Sequence, residues 1–187
     1  DYSREGIART RSFLTGARGR LQSFPQEALS PEERADYQIM DDQISLSLLE
    51  LDSIQNYRHN PTVYVELIGN ALFTPYVLNY APKADRFLNI ARRMEAIPRL
   101  LDQAKANLVD APEVWNRVAR EENQGNISLI DDTLRHDVPA DVRPFFEHAA
   151  GPALAALREF VGWLANTLTQ KTSDWRLGRE KYEQKFR

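Results

Sequence analysis

Apolar residues recur at helical spacing along almost the whole chain. Their three- and four-residue steps are steadiest over residues 3–24, 31–57, 82–109, 112–135 and 139–169. Several of these segments begin at a proline. In Ser30-Pro31-Glu32-Glu33 a serine cap, a first-turn proline and two acids together favour a helix start. No stretch alternates with a two-residue period, so no sheet is expected. The pattern predicts an all-α fold, an irregular bundle of about six to eight helices.

The most apolar stretch of the chain covers residues 59–82, and Glu66 is its single ionised side chain. Such a stretch is either buried in the fold or forms the wall of a site. Pro61 and Pro75 are expected to bracket a short helix, which Gly69 weakens. The polar residues inside the stretch are the candidates for lining a cleft: Tyr64, Asn70, Tyr76, Asn79 and Tyr80.

Phenol and amide groups on an apolar wall suit a peptide backbone, because they offer directed hydrogen bonds. An alternative is that the tyrosines only pack helices and bond to nearby carbonyls. Both interpretations of these five residues remain open at the level of sequence.

Three other segments carry specific expectations. The helix over residues 31–57 should bury a continuous stripe of Tyr37, Met40, Ile44, Leu48 and Leu51. The helix over 139–169 has the most regular apolar stripe in the chain, and Gly151-Pro152 is a candidate point of interruption. Within 112–135, the polar run 121–126 either lines a cleft or forms a solvated bend at Gly125. Apolar residues in the tail, 175–187, are spaced for one more helix.

Composition places the chain among ordinary soluble globular proteins. It has 187 residues, 42% hydrophobic and 27% charged, with a net charge of −3. The negative balance makes nucleic acid an unlikely class of partner. No apolar run reaches the roughly 18 to 20 residues of a membrane span. The chain begins at Asp1 and contains no cysteine, so its compartment stays open, and export is compatible with a processed start.

Recognisable catalytic motifs are missing from the sequence. His59, His136 and His148 are far apart and form no HExxH pattern, and no glycine-rich phosphate loop or GxSxG elbow occurs. Asp41 and Asp42 point about 100° apart on a helix, which gives little support to a carboxylate metal site. We therefore assign no catalytic residue and no metal ligand to this chain.

Four stretches, taken in order, carry a family resemblance. They are LSPEERADYQIMDDQISLSLLEL at 29–51, the segment 59–108 ending in IPRLLDQAKANL, PEVWNRVAREENQGN at 112–126 and KTSDWRLGREKYEQKFR at 171–187. Together they resemble the N-terminal part of a bacterial family known as domain of unknown function 885. The resemblance covers nearly the whole chain.

This resemblance implies a large, almost entirely helical protein, similar in outline to the helical zinc metallopeptidases. Residues 1–187 would then be a single all-α domain, the N-terminal segment of a longer protein, walling a substrate cleft. The resemblance places zinc in a downstream histidine- and glutamate-rich segment and none in this chain. It makes the C-terminal part of the same protein the partner, and a peptide-like molecule the substrate. On this view the chain alone is not an enzyme, whereas its parent is a metal-dependent peptidase or hydrolase. The alternative is a stand-alone helical binding module with an apolar groove.

Overall fold

The computed structural model describes residues 1–168, 170–171 and 176–186, and these are overwhelmingly helical. In chain order the elements are α1 Arg4–Gln22, α2 Pro31–Leu49, α3 Asn56–His59, α4 Thr62–Val77, α5 Lys83–Glu95, α6 Ile97–Asn107, β1 Ala111–Pro112, α7 Glu113–Ser128, α8 Arg135–Asp137, α9 Arg143–Asn166, β2 Gln170–Lys171 and α10 Arg179–Lys185. A short 3₁₀ turn covers Gln26–Ala28, and π-helical turns cover Glu50–Ile54 and Leu129–Leu134. The predicted all-α bundle is confirmed.

One minor strand pairing was not expected. The two residues of β1 pair in parallel with the two residues of β2. Contacts divide the chain into two compact units, Asp1–Asn56 with Asp174–Arg187, and Tyr57–Ser173. The single domain expected over 1–187 stays a prediction.

The first unit is built on α1 and α2. The predicted start of α2 is confirmed: Ser30 Oγ accepts from the Glu33 amide at 3.3 Å, and Glu33 Oε2 accepts from the Ser30 amide at 2.8 Å. These hydrogen bonds, led by the one from the Ser30 backbone, lower the pKa of the Glu33 carboxyl. At the other end, Gln55 takes a left-handed conformation at φ 55° after the π-helical turn and ends the helical run.

The prediction of a continuous buried stripe on α2 is wrong. None of its residues is fully buried, and Met40 is 50% exposed. Within its unit α2 packs mainly on α1 and makes a smaller contact with the short α10, and these contacts leave the stripe only partly covered. The predicted tail helix is present as α10 and is shorter than expected. Trp175 and Arg187, which that prediction included, lie outside the described residues.

The second unit is organised around α9, which packs on α5, α6 and α7. Its predicted stripe is buried, through Leu154, Leu157, Phe160 and Leu164. The helix runs through Pro152 without the interruption considered from the sequence. Long-range apolar contacts of this kind supply most of the driving force for helix packing.

Two asparagines of α7 are buried against α9. Asn116 Nδ2 donates to the Leu164 carbonyl and Asn123 Nδ2 to the Leu157 carbonyl, each at 2.8 Å. Both residues are 0% exposed, and their Oδ1 atoms accept no hydrogen bond from the part of the chain that the structure describes. These amides tie the two helices together inside an otherwise apolar contact.

Helix α4 continues past Pro75, which the sequence suggested as its end. Proline has no N–H, so the carbonyl of Ala71 lacks its usual helical donor. Arg93 Nη1, on α5, donates to that carbonyl at 2.7 Å. An arginine from a neighbouring helix thus replaces the missing backbone hydrogen bond.

A second arginine of α5 covers the C-terminal end of α4. Arg86 is 9% exposed, and its Nη1 donates to the carbonyls of Pro75 at 3.1 Å and Tyr76 at 2.6 Å. Its Nε donates to the Ala81 carbonyl at 3.1 Å. A cation at the negative end of a helix is favourable, so Arg86 fixes the corner between α4 and α5.

Candidate functional site

An open cavity of about 420 Å³ lies between α4 and α7. Helix α4 contributes residues spaced on one face: Val65, Glu66, Gly69, Asn70 and Phe73. The opposite wall comes from α7 and the π-helical turn after it: Glu122, Gly125, Asn126 and Leu129. The lining therefore combines apolar side chains with two carboxylates and two amides, and it contains no basic residue.

The two walls approach closely because position 69 is a glycine. A Cβ there would stand 2.9 Å from Asn126 Oδ1, closer than side-chain atoms normally come. Asn126 is 6% exposed, and its Nδ2 donates to the Val65 carbonyl at 2.9 Å. The glycine lets an amide of α7 lie directly against the backbone of α4.

Glu66 and Glu122 face the cavity from opposite helices, and both side chains are exposed. Although Glu122 is exposed overall, partial loss of solvent around its carboxyl raises the pKa, and the negative charge of Glu66 raises that pKa further. Neither carboxylate forms an ion pair with any residue that the structure describes. The cavity lining thus has two carboxylates and no ion pair to either of them from the described residues.

Of the five residues proposed from the sequence, Asn70 lines this cavity. Tyr64 is instead 0% exposed: its hydroxyl donates to the Tyr57 carbonyl at 2.7 Å and accepts from Asn107 Nδ2 at 3.2 Å. That placement corresponds to the packing alternative stated for the tyrosines.

The other three proposed residues lie at the C-terminal end of α4 or beyond it. Tyr76 is half-buried, with its ring edge-on to Phe87 at a centroid distance of 6.2 Å. Asn79 and Tyr80 are exposed in the segment between α4 and α5, and Asn89 Nδ2 donates to the Tyr80 hydroxyl at 3.4 Å. None of the three lines the α4–α7 cavity. Their role in a cleft stays a prediction.

Glu66 was not proposed as a site residue, and Glu122 and Asn126 were proposed only as members of the polar run 121–126. Glu66 is the single charge in the apolar stretch, and Glu122 follows Val118 by four residues, so it can share a partly buried helix face. Helix α7 is continuous through Gly125. Glu122, Gly125 and Asn126 of the polar run 121–126 line the cavity, whereas Asn123 of the same run is buried against α9, and a cleft-lining role for the run stays a prediction.

Comparison with known proteins decides the family. The family described as bacterial protein of unknown function (DUF885) matches residues 1–187. The chain belongs to the DUF885 family. No curated protein matches it.

A solved structure has the same fold as this DUF885 chain. That protein, from Shewanella oneidensis, is described as a candidate lipoprotein of unknown function, and it superposes with a TM-score of 0.83 at 23% sequence identity. The superposition covers 98% of this chain and 35% of the solved protein. The chain therefore spans about a third of that protein's length, and at this identity the likeness shows the fold alone.

Potential metal ligands are dispersed in this DUF885 chain. His59 Nδ1 and Asp110 Oδ1 lie 2.8 Å apart, but no group of three or more histidine, aspartate or glutamate side chains that could hold a metal occurs among residues 1–168, 170–171 and 176–186. These residues do not fit a zinc site, which needs at least three protein ligands. Within the same ranges, no helix is both long and apolar enough to cross a bilayer.

Proposed function

We propose that this chain is the N-terminal helical part of a metallopeptidase-like protein, in which it walls a substrate cleft. The observation that carries the proposal is the cavity between α4 and α7. Its rim combines the amide of Asn70 with the exposed ring of Phe73. A wall with apolar surface and a few convergent polar groups is typical of a ligand site. A peptide-like substrate would use both, because its backbone bonds to amides and its side chains pack on apolar surface.

Exposed apolar residues on α4 support the proposal that a large partner packs against this helix. Apolar side chains that are 43% to 55% exposed cluster on α4 and just beyond it: Leu67, Phe73, Val77, Leu78 and Tyr80. Exposed apolar patches of this kind usually mark an interface. In the proposal, the remaining part of a longer chain covers this face, which agrees with the greater length of the solved protein from Shewanella oneidensis.

Zinc, in this proposal, belongs to residues outside this chain, because the described residues gather no metal-ligand set. The contribution of this chain is to bind and orient the substrate and to exclude water from it. Export of the protein is part of the proposal, since the structural neighbour is described as a candidate lipoprotein. Fractionation of the producing bacterium would test that location.

The test compares the product of the complete gene with the 187-residue chain on a library of fluorogenic peptides. We expect cleavage by the complete product only, lost with a zinc chelator and restored by zinc. Asn70→Ala should lower kcat/KM by about 3- to 10-fold, the loss of one hydrogen bond. Asn166→Ala, an exposed asparagine of α9, is the matched control and should leave kcat/KM unchanged. A reading frame that ends at Arg187, or a complete product that cleaves no peptide, would refute the proposal.

A stand-alone binding module is the second candidate, and the exposed apolar side chains of α4 favour it as well. Such a module would be monodisperse as a 187-residue chain and would bind an amphipathic helix or a lipid-like ligand without metal. Sedimentation velocity separates the two candidates. Self-association of the isolated chain that is abolished by Leu67→Ser would favour the metallopeptidase-like part, because its apolar face would then be an interface left uncovered.

A further inference from the structure

We propose that the α4–α7 cavity binds a cationic group, an ammonium or a guanidinium carried on an apolar stem. The inference deepens the function proposed above, since it names the chemistry of the substrate group that this wall would take. Its test measures ligand binding, whereas the test of the proposed function measures peptide cleavage. One proposal can therefore fail while the other holds.

The lining of the cavity is rich in hydrogen-bond acceptors and poor in donors. The Glu66 and Glu122 carboxylates only accept when ionised. Asn126 donates one Nδ2 hydrogen to the Val65 carbonyl and keeps its Oδ1 as an acceptor for a ligand. The donors that remain in the lining are the amide hydrogens of Asn70 and the second Nδ2 hydrogen of Asn126, and they are fewer than the carboxylate and amide oxygens. An ammonium, with three donors and no acceptor, is the complement of such a lining.

Asn126 is an independent sign of a ligand site. Its side chain is 6% exposed, and its Oδ1 lies against Gly69, which itself lines the cavity. Across residues 1–168, 170–171 and 176–186, no group donates a hydrogen bond to this oxygen. Although the residue is nearly buried, this oxygen is not among the fully buried acceptors that lack a donor, so it is accessible from the cavity and can take a donor from a ligand.

Charge and shape of the cavity agree with this ligand. Among the described residues, no cation forms an ion pair with Glu66 or Glu122, and an anionic ligand would meet two like charges. Val65, Phe73 and Leu129 supply apolar surface for a stem. The ring of Phe73, 51% exposed, can also take a cation against its face. The volume of about 420 Å³ lies within the usual range for small-ligand pockets.

The direct test uses butylammonium and butylguanidinium as probes, with butanol and butyrate as neutral and anionic controls of the same stem. Binding is followed by ¹H–¹⁵N spectra of the 187-residue chain. Gly69 and Gly125 line the cavity, whereas Gly162 lies on α9 and does not, so glycine amides report the site and its reference together. We expect millimolar saturation at Gly69 and Gly125 with the cations only. Thermal shifts of the complete gene product are measured with the same probes. They prevent poor folding of the isolated 187-residue chain from being mistaken for a lack of binding.

Substitutions then distinguish specific binding of the cation from nonspecific hydrophobic binding. Glu66→Gln and Glu122→Gln should each weaken butylammonium binding by about threefold, and the double variant by about tenfold. Glu121→Gln, next to the site on α7 and paired with Arg117, is the matched control and should bind normally. Equal binding of butanol, no response at Gly69 and Gly125, or affinity independent of both carboxylates would overturn the proposal.

Two sources could supply the cation, a basic side chain or the free amino terminus of a peptide. N-acetyl-lysine amide carries only the side-chain ammonium, and leucine amide carries only the α-ammonium. Saturation by one of them supports the proposal and assigns the source. Failure of both, with the spectrum intact, counts against it.

Discussion

Gly69 lies beneath the side chain of Asn126, so that a Cβ at position 69 would stand 2.9 Å from Asn126 Oδ1. The same asparagine bonds through Nδ2 to the Val65 carbonyl, one turn before Gly69 on α4. The absence of one side chain therefore sets the distance between the two walls of the candidate site. A glycine that looked like a weak point of a helix is a requirement of helix packing.

Gly69→Ala should fail to give the usual benefit of alanine in a helix. Gly162→Ala, at an exposed and open position of α9, should stabilise the protein by about 0.5–1 kcal/mol. Gly69→Ala must displace Asn126 and lose its hydrogen bond, which costs about 1 kcal/mol or more. We expect the two variants to differ by about 1–3 kcal/mol in urea unfolding. Equal gains from both would contradict the packing described here.

Asn123→Asp should be strongly destabilising at neutral pH. It would place a carboxylate in a site that is 0% exposed and opposite the Leu157 carbonyl, at a cost of about 3 kcal/mol or more. Burial raises the folded-state pKa of such a carboxyl, so the variant's stability is greatest at acid pH and is lost as pH rises through that pKa. Gln124→Glu, an exposed neighbour, should stay within about 0.5 kcal/mol. Denaturant unfolding at several pH values measures both, and pH-independent loss would argue against a charge effect.

Arg86→Met should destabilise the corner between α4 and α5 by about 2–4 kcal/mol. The substitution removes three hydrogen bonds to the carbonyls of Pro75, Tyr76 and Ala81. Arg86→Lys should recover only part, because one ammonium cannot reproduce the geometry of a guanidinium. Thermal unfolding compares the two with Arg92→Met, an exposed control on the same helix. If Met and Lys at position 86 behave like the control, Arg86 does not hold the corner.

Glu122→Gln should stabilise the protein at neutral pH. Burial and the charge of Glu66 raise the pKa of Glu122 in the folded state, so the protonated form is favoured by folding. The stability of the wild-type protein is therefore full below the ordinary carboxyl pKa and falls as pH rises through the raised value. The gain is expected to reach at most about 0.5 kcal/mol near pH 7, because solvent screens an exposed group. A gain of equal size at pH 3 would point to another cause.

The sequence predicted where the helices form, but not how far neighbouring elements bury the apolar face of each helix. Helical periodicity identified the stripe of α9 because the same residues face one neighbour after another along its length. The same reasoning failed for α2, since helical periodicity indicates which face of a helix is apolar but not whether another element packs against that face. Met40 is the clearest case, at 50% exposure.

The candidate site was harder to predict because it joins parts of the chain that are far apart. Asn126 bonds to Val65 across 61 residues, and no local pattern specifies that pairing. The burial of Asn116 and Asn123 against α9 was missed for a related reason. An asparagine in a helical sequence is normally assigned to the surface, and only a carbonyl from another helix makes its burial favourable.

The asparagines that join α7 to α9 also determine how far one helix can slide along the other. Asn116 and Asn123 are seven residues apart, and so are their acceptors, Leu164 and Leu157. A slide of α9 along α7 would therefore break both hydrogen bonds at the same time. The two bonds together favour one register of this antiparallel pair.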